Sequence, residues 1–197
     1  MADSLYLSLW FPDFDGEDML PRALSVLRAV PFSAEQPGIT YVSLHPVSWD
    51  EPTILEQRFN PGVTPEAAVL FASDLLHEDY GYVFEAAWDL WVASSDQRNW
   101  TLQPAPVKVI VHGTEFDEGA YREEGHIKVE LGLDSTFLNE EIPLTIEAES
   151  HVQANIQRLV EFATKAEKNS GATGRLLWSE LEENLAQKVI ARLQRVQ

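Results

Sequence analysis

Tyr80-Gly81-Tyr82-Val83-Phe84-Glu85-Ala86-Ala87-Trp88-Asp89-Leu90-Trp91-Val92 is the stretch on which the fold turns. Alternate residues of a strand point to opposite faces. Here Tyr80, Tyr82, Phe84, Ala86, Trp88 and Leu90 share one face, while Glu85, Asp89 and Trp91 share the other. So large an apolar row predicts a long strand beneath a helix, with Tyr82 and Phe84 in the core.

Working outward, Ser4–Phe11 repeats the alternation, with Leu5, Leu7, Leu9 and Phe11 on one side. A helix is expected over 17–30 with Leu20, Ala23, Leu24 and Leu27 as its buried stripe. Asp13, Asp15 and Asp18 precede or open it, and an aspartate N-cap accounts for them. Strands follow at 39–47 and 53–59, joined by a turn at Ser48-Trp49-Asp50-Glu51-Pro52. Thr64, Pro65 and Glu66 start a second helix reaching about His77, and its run Ala67–Ala72 predicts deep burial. The first half therefore orders its elements strand, helix, strand, strand, helix, strand, as a ferredoxin-like unit does.

Beyond the polar segment 94–99, strands are expected at 107–112, 125–133 and 175–178. Thr145 caps a long helix ending near Asn169, with Val152, Ile156, Leu159, Val160 and Ala163 as its seam. Ser179 and Glu182 form a capping box for a last helix carrying Leu181, Leu185, Val189 and Leu193. The fold class is α+β: a largely antiparallel, mixed sheet covered by helices. One domain over 1–197 is the reading, with pseudo-halves 1–93 and 100–197 as the alternative division.

Composition narrows the function classes. Among 197 residues, 32 are Asp or Glu and 14 Lys or Arg, a net charge of −18. Such a surface repels phosphate backbones and anionic headgroups, which excludes nucleic acid and membrane as partners and favours a basic protein. No cysteine is present, so disulfides and thiolate metal sites are excluded. The start Met1-Ala2-Asp3-Ser4 lacks the features of a signal peptide, and cytoplasmic localisation is expected.

Phosphate loops, nucleophile elbows and His-Glu-x-x-His helices are missing from the sequence. Glu85 and Asp89 share a strand face but lie ~13 Å apart, too far for a glycosidase carboxyl pair. The second half offers one constellation. Pairing Val109 opposite Val129 puts Lys108 against Glu130, Ile110 against Lys128 and His112 against His126. Opposed imidazoles can share a divalent metal, with Glu115 and Asp117 of the connecting loop completing its shell. A metal-dependent hydrolase is the function these parts would build. The competing reading is an amphipathic hairpin with a solvated acidic loop, which needs no cofactor. Trp10, Trp49 and Trp91, near strand ends, are candidate exposed anchors for a partner or for an aromatic-lined small-molecule cleft. Acidity, tryptophan content and the missing catalytic motifs together favour a non-catalytic interaction module, for example one that neutralises a basic protein. Homo-oligomerisation stays open.

Overall fold

The computed structural model describes residues 3–94, 99–138, 145–180 and 187–190. The strands are β1 (Ser4–Trp10), β2 (Ile39–Pro46), β3 (Leu55–Arg58), β4 (Tyr80–Ala93), β5 (Trp100–His112), β6 (Ile127–Leu133) and β7 (Gly174–Ser179). The helices are α1 (Gly16–Leu27), α2 (Pro65–Ser73), α3 (Tyr121–Glu124), α4 (Ser135–Leu138) and α5 (Ile146–Ser170), and a 3-10 turn spans Phe116–Gly119. Of the expected last helix, Leu181, Glu182, Leu185 and Leu193 lie outside the described residues, while Val189 is buried.

Among the described residues the seven strands form one sheet in the order β3-β2-β4-β5-β6-β1-β7, and each ladder between them is antiparallel. The α+β class holds, and the first half runs in the expected element order. Its pairing is another matter: β1 lies between β6 and β7 rather than beside a first-half strand. Local patterning sets that a segment is a strand; which partner it takes is decided by long-range closure.

The apolar rows all turn to one face. Leu5, Leu7 and Leu9, Val42 and Leu44, Tyr82, Phe84 and Trp88, Val107, Val109 and Val111, and Ile127 and Val129 are buried there. Each fully buried large apolar side chain contributes roughly 1.5–3 kcal/mol. The helices complete this core with Met19, Leu20, Ala23, Val26 and Leu27 of α1 and Val152, Ile156, Leu159 and Phe162 of α5. Val26 belongs to the α1 stripe, whereas Leu24 is only partly buried. In α5, Phe162 is in the seam and Val160 is 38% exposed. The burial expected of α2 is corrected: only Pro65, Ala68 and Ala72 are buried and Leu70 faces solvent, because α2 covers the sheet's margin with one face.

Caps stand where the sequence places them. Asp15 accepts from the N–H groups of Glu17 and Asp18, Thr64 from that of Ala67, and Thr145 from that of Ala148. Strand β5 begins earlier than the alternation implied. Pro104 and Pro106 lie within it, opposite Asp89 and Ala87 of β4. Of β5, strand β6 pairs only with Lys108–Val111, so among the described residues no ladder lies on the other side of the segment holding the prolines, and a missing donor is tolerated. Among residues the alternation did not single out, Asn155 matters most. Buried in α5, it accepts from Trp91 N–H (2.8 Å) and donates to the carbonyls of Trp91 (2.9 Å) and Thr136 (3.1 Å).

Candidate functional site

The antiparallel register brings five strand ends together. The C-terminal ends of β1, β2 and β5 and the N-terminal ends of β4 and β6 meet along one edge of the sheet. Their connections cluster there and hold one another. Asp117 N–H donates to Val47 O (2.7 Å), Val47 N–H to Asp79 O (2.8 Å), and Glu115 N–H to Glu78 O (3.0 Å). Gly16 N–H donates to the Glu78 carboxylate (3.0 Å). Gly113 lies so close beneath residue 78 that a Cβ there would be 2.0 Å from Glu78 O.

Charge is concentrated by this arrangement. The segments 11–18, 47–54, 74–79 and 113–126 carry Asp13, Asp15, Glu17, Asp18, Asp50, Glu51, Asp74, Glu78, Asp79, Glu115, Asp117, Glu118, Glu123 and Glu124, and against them Arg122 alone of Lys and Arg. Among these carboxylates, Val47 and Ile54 expose apolar side chains (56% and 45%). Val47 does so from a left-handed backbone, φ 64°, which a β-branched residue rarely adopts. The adjoining Asp117 and Glu118 are left-handed as well, with φ 48° and 56°. Residues held this way cost of order 1–3 kcal/mol each and cluster at sites of function.

Beside this end, the sheet face turned away from α1, α2 and α5 forms a groove of about 430 Å³. Alternate residues of four strands line it: Tyr41, Ser43 and His45, then Val83 and Glu85, Lys108 and Ile110, Lys128 and Glu130. Glu124 and Trp49 close one end. Lys108 Nζ stands 3.9 Å from Glu85 and 3.7 Å from Glu130, beyond hydrogen-bond length, while Lys128 pairs closely with Glu124. The Trp49 indole packs edge-on to His45 (4.8 Å), His112 (5.9 Å) and Phe116 (4.9 Å).

The expected register is observed: Lys108 faces Glu130, Val109 faces Val129, and Ile110 faces Lys128. His112 and His126 are neighbours across it, His112 N–H donating to His126 O at 2.9 Å. Their rings have separate engagements. Phe11 N–H donates to His126 Nδ1 (3.0 Å), so the neutral ring carries its proton on Nε2, between Phe14 (4.4 Å) and Tyr121 (4.6 Å). Burial, with the neighbouring His112 second, pushes its pKa down to about 4.

His112 is fully buried, and its Nδ1–H donates to Gly125 O (2.8 Å). Its Nε2 therefore presents a lone pair, without a hydrogen-bond partner among the described residues and 3.5 Å from Glu124 Oε2. Burial lowers the His112 pKa, opposed by the Gly125 carbonyl and the Glu124 charge. His45 is lowered by burial too; its Nε2 meets Ser43 Oγ (3.1 Å) and its Nδ1 has no hydrogen-bond partner among the described residues.

The remaining candidates are dispersed. Glu115 is exposed, Asp117 is half-buried with its backbone bound to Val47, and no group of three or more His, Asp or Glu is placed to hold a metal among the described residues. Trp10 donates from Nε1 to Tyr121 O (3.0 Å), and Trp91 packs on His151 (4.2 Å) at the far end of β4. Trp49 is the one of the three tryptophans that lines the groove. Of the groove's lining, Lys128 stands opposite Ile110 as the sequence pairing placed it and Glu124 belongs to the acidic connecting loop, whereas Tyr41 was not singled out from sequence; the i, i+2 spacing of Tyr41, Ser43 and His45 was its only local signal. No family model, curated protein or solved structure matches the chain. No helix among the described residues is long and apolar enough to cross a membrane.

Proposed function

We propose that the chain is a non-catalytic cytoplasmic interaction protein that captures a basic partner protein with the acidic end of its sheet. The observation that carries the reading is the convergence of carboxylates around exposed Val47 and Ile54 and half-buried Trp49. An apolar and aromatic centre inside a charged rim is the anatomy of a recognition surface. The rim's negative field accelerates encounter with a cationic protein, and the centre supplies contact area once docked.

The test is capture of a basic protein by the full chain, with the partner identified and its affinity measured at low and high salt. Reversing two rim charges, Asp50→Lys with Glu51→Lys, should weaken binding at least tenfold and flatten its salt dependence. Affinity unchanged by both salt and the reversal would eliminate the proposal.

A further inference from the structure

We propose that β7 is a dimerisation strand: it pairs antiparallel with the β7 of a second copy of this chain, about a two-fold axis through Leu177, and joins the two sheets into one. The inference does not depend on the capture of a basic partner. It starts from the edges of the sheet. An edge strand presents unpaired N–H and C=O groups, and such edges are blunted by charge, proline, brevity or a cover. Elsewhere in this sheet the edges are blunted in those ways. Strand β3 is four residues long, with Glu56, Gln57 and Arg58 exposed. The N-terminal part of β5 carries Pro104 and Pro106. Past Ala86, where β2 ends, β4 is covered: Ser33 N–H donates to Ala87 O (2.7 Å), Arg158 donates to Asp89 O, and Asn155 binds both backbone groups of Trp91. Past Glu130, β6 keeps only Leu131–Leu133, and Gly132 turns left-handed at φ 86°.

Strand β7 has none of these devices. Its six residues pair along their whole length with β1, and among the described residues no strand pairs with its other edge. It holds no proline, and its one charge, Arg175, is bound to Glu167 (2.7 Å). Leu176 is 50% exposed, and Leu177 and Trp178 are partly exposed. Self-complementarity and charge identify the occupant as a second copy. Identical strands laid antiparallel about Leu177 put that residue against its own image on the helix-covered face. On the open face Leu176 of each copy meets Trp178 of the other, and Arg175 meets Ser179, so no like charges stand opposed. Trp178 is already fixed for this contact, stacked on Tyr6 (4.6 Å) with its Nε1 donating to Ser8 Oγ (2.9 Å). Trp10 pairs with Gly174, so the acidic end of the sheet lies at the Gly174 end of β7. An antiparallel pair points the two acidic ends in opposite directions, which keeps repulsion low between chains of net charge −18 and leaves both ends open.

The experiment follows the mass of the full chain by sedimentation equilibrium, and its amide exchange, across a range of protein concentrations. A reversible monomer–dimer equilibrium is the expected result, with β7 amides exchanging at least tenfold more slowly at high concentration and β3 amides unchanged. Leu176→Lys charges an exposed position, where the fold has little to lose, and should weaken dimerisation at least tenfold. The chain has no cysteine, so single-cysteine variants report the register. Opposed residues of such a ladder hold their Cβ atoms ~4.5–5.5 Å apart, close to the spacing a disulfide closes. Leu177→Cys should therefore crosslink to its own image under mild oxidation, and Gln57→Cys on β3 should not. A monomer at every concentration, a dimer indifferent to Leu176→Lys, or crosslinking at Gln57→Cys as fast as at Leu177→Cys overturns the inference. Protection of β7 that develops only when a basic protein is added assigns the edge to that partner and overturns self-pairing as well.

Discussion

Acid should unfold this protein through His126 in a way that can be isolated from the rest of its titration. An unfolded histidine takes its proton near pH 6.5; in the folded chain, burial between Phe14 and Tyr121 holds His126 to about 4. Its Nδ1 is occupied by Phe11 N–H, so protonating the ring also breaks that hydrogen bond. Between these two values the unfolded state binds the proton and the folded state does not. The stability due to neutral His126 is thus complete above pH 6.5 and lost as pH falls toward 4. The whole shift corresponds to roughly 3 kcal/mol, of which about 2 kcal/mol should be gone by pH 5. Raw stability against pH will not show this cleanly. Acidification also neutralises carboxylates in a chain of net charge −18, which relieves repulsion and acts in the opposite sense. His126→Gln removes the titration while its amide oxygen can still accept from Phe11 N–H. Carboxylates, His45 and His112 are common to both proteins, so their contributions largely cancel in the difference. Urea denaturation of both proteins from pH 7 to pH 4.5 should show wild type losing about 2 kcal/mol more than the variant by pH 5. Parallel curves, or a folded-state His126 that titrates near 6.5 by NMR of its ring, would refute the reasoning.

Two further substitutions probe the same end of the molecule and the opposite one. Val47→Asn should raise stability by about 1 kcal/mol in chemical denaturation, because asparagine tolerates the left-handed backbone at φ 64° and a half-exposed valine has little packing to lose; it should at the same time weaken capture of a basic partner. Asn155→Ala should cost roughly 2–4 kcal/mol by thermal or chemical denaturation, since it strands both Trp91 backbone groups beneath α5, and a cost under 1 kcal/mol would show that water replaces the amide.

Much of the architecture is local and was therefore readable from the chain alone. The period-two rows of β1, β4, β5 and β6 put Leu7, Phe84, Val109 and Val129 in the core, and the same rows placed Val109 opposite Val129. Asp15, Thr64 and Thr145 cap helices because a side-chain oxygen near the first turn meets unsatisfied N–H groups a few residues away. These outcomes depend on neighbours in sequence, or on two strands joined by a short connection. Other features depend on closure between distant segments. Pairing of β1 with β6 and β7 carries Phe11 to His126, 115 residues away, and so decides which nitrogen of that ring keeps its proton. The same closure gathers scattered aspartates and glutamates on one end, where composition reported only a total. It also folds Glu124 against the Nε2 of His112 and leaves Trp49 beside the groove while Trp10 and Trp91 are engaged elsewhere. Periodicity states which face a residue takes on its own strand. The neighbour waiting on that face is set by strand order, and strand order follows from the free energy of the whole sheet and core, which no local window contains.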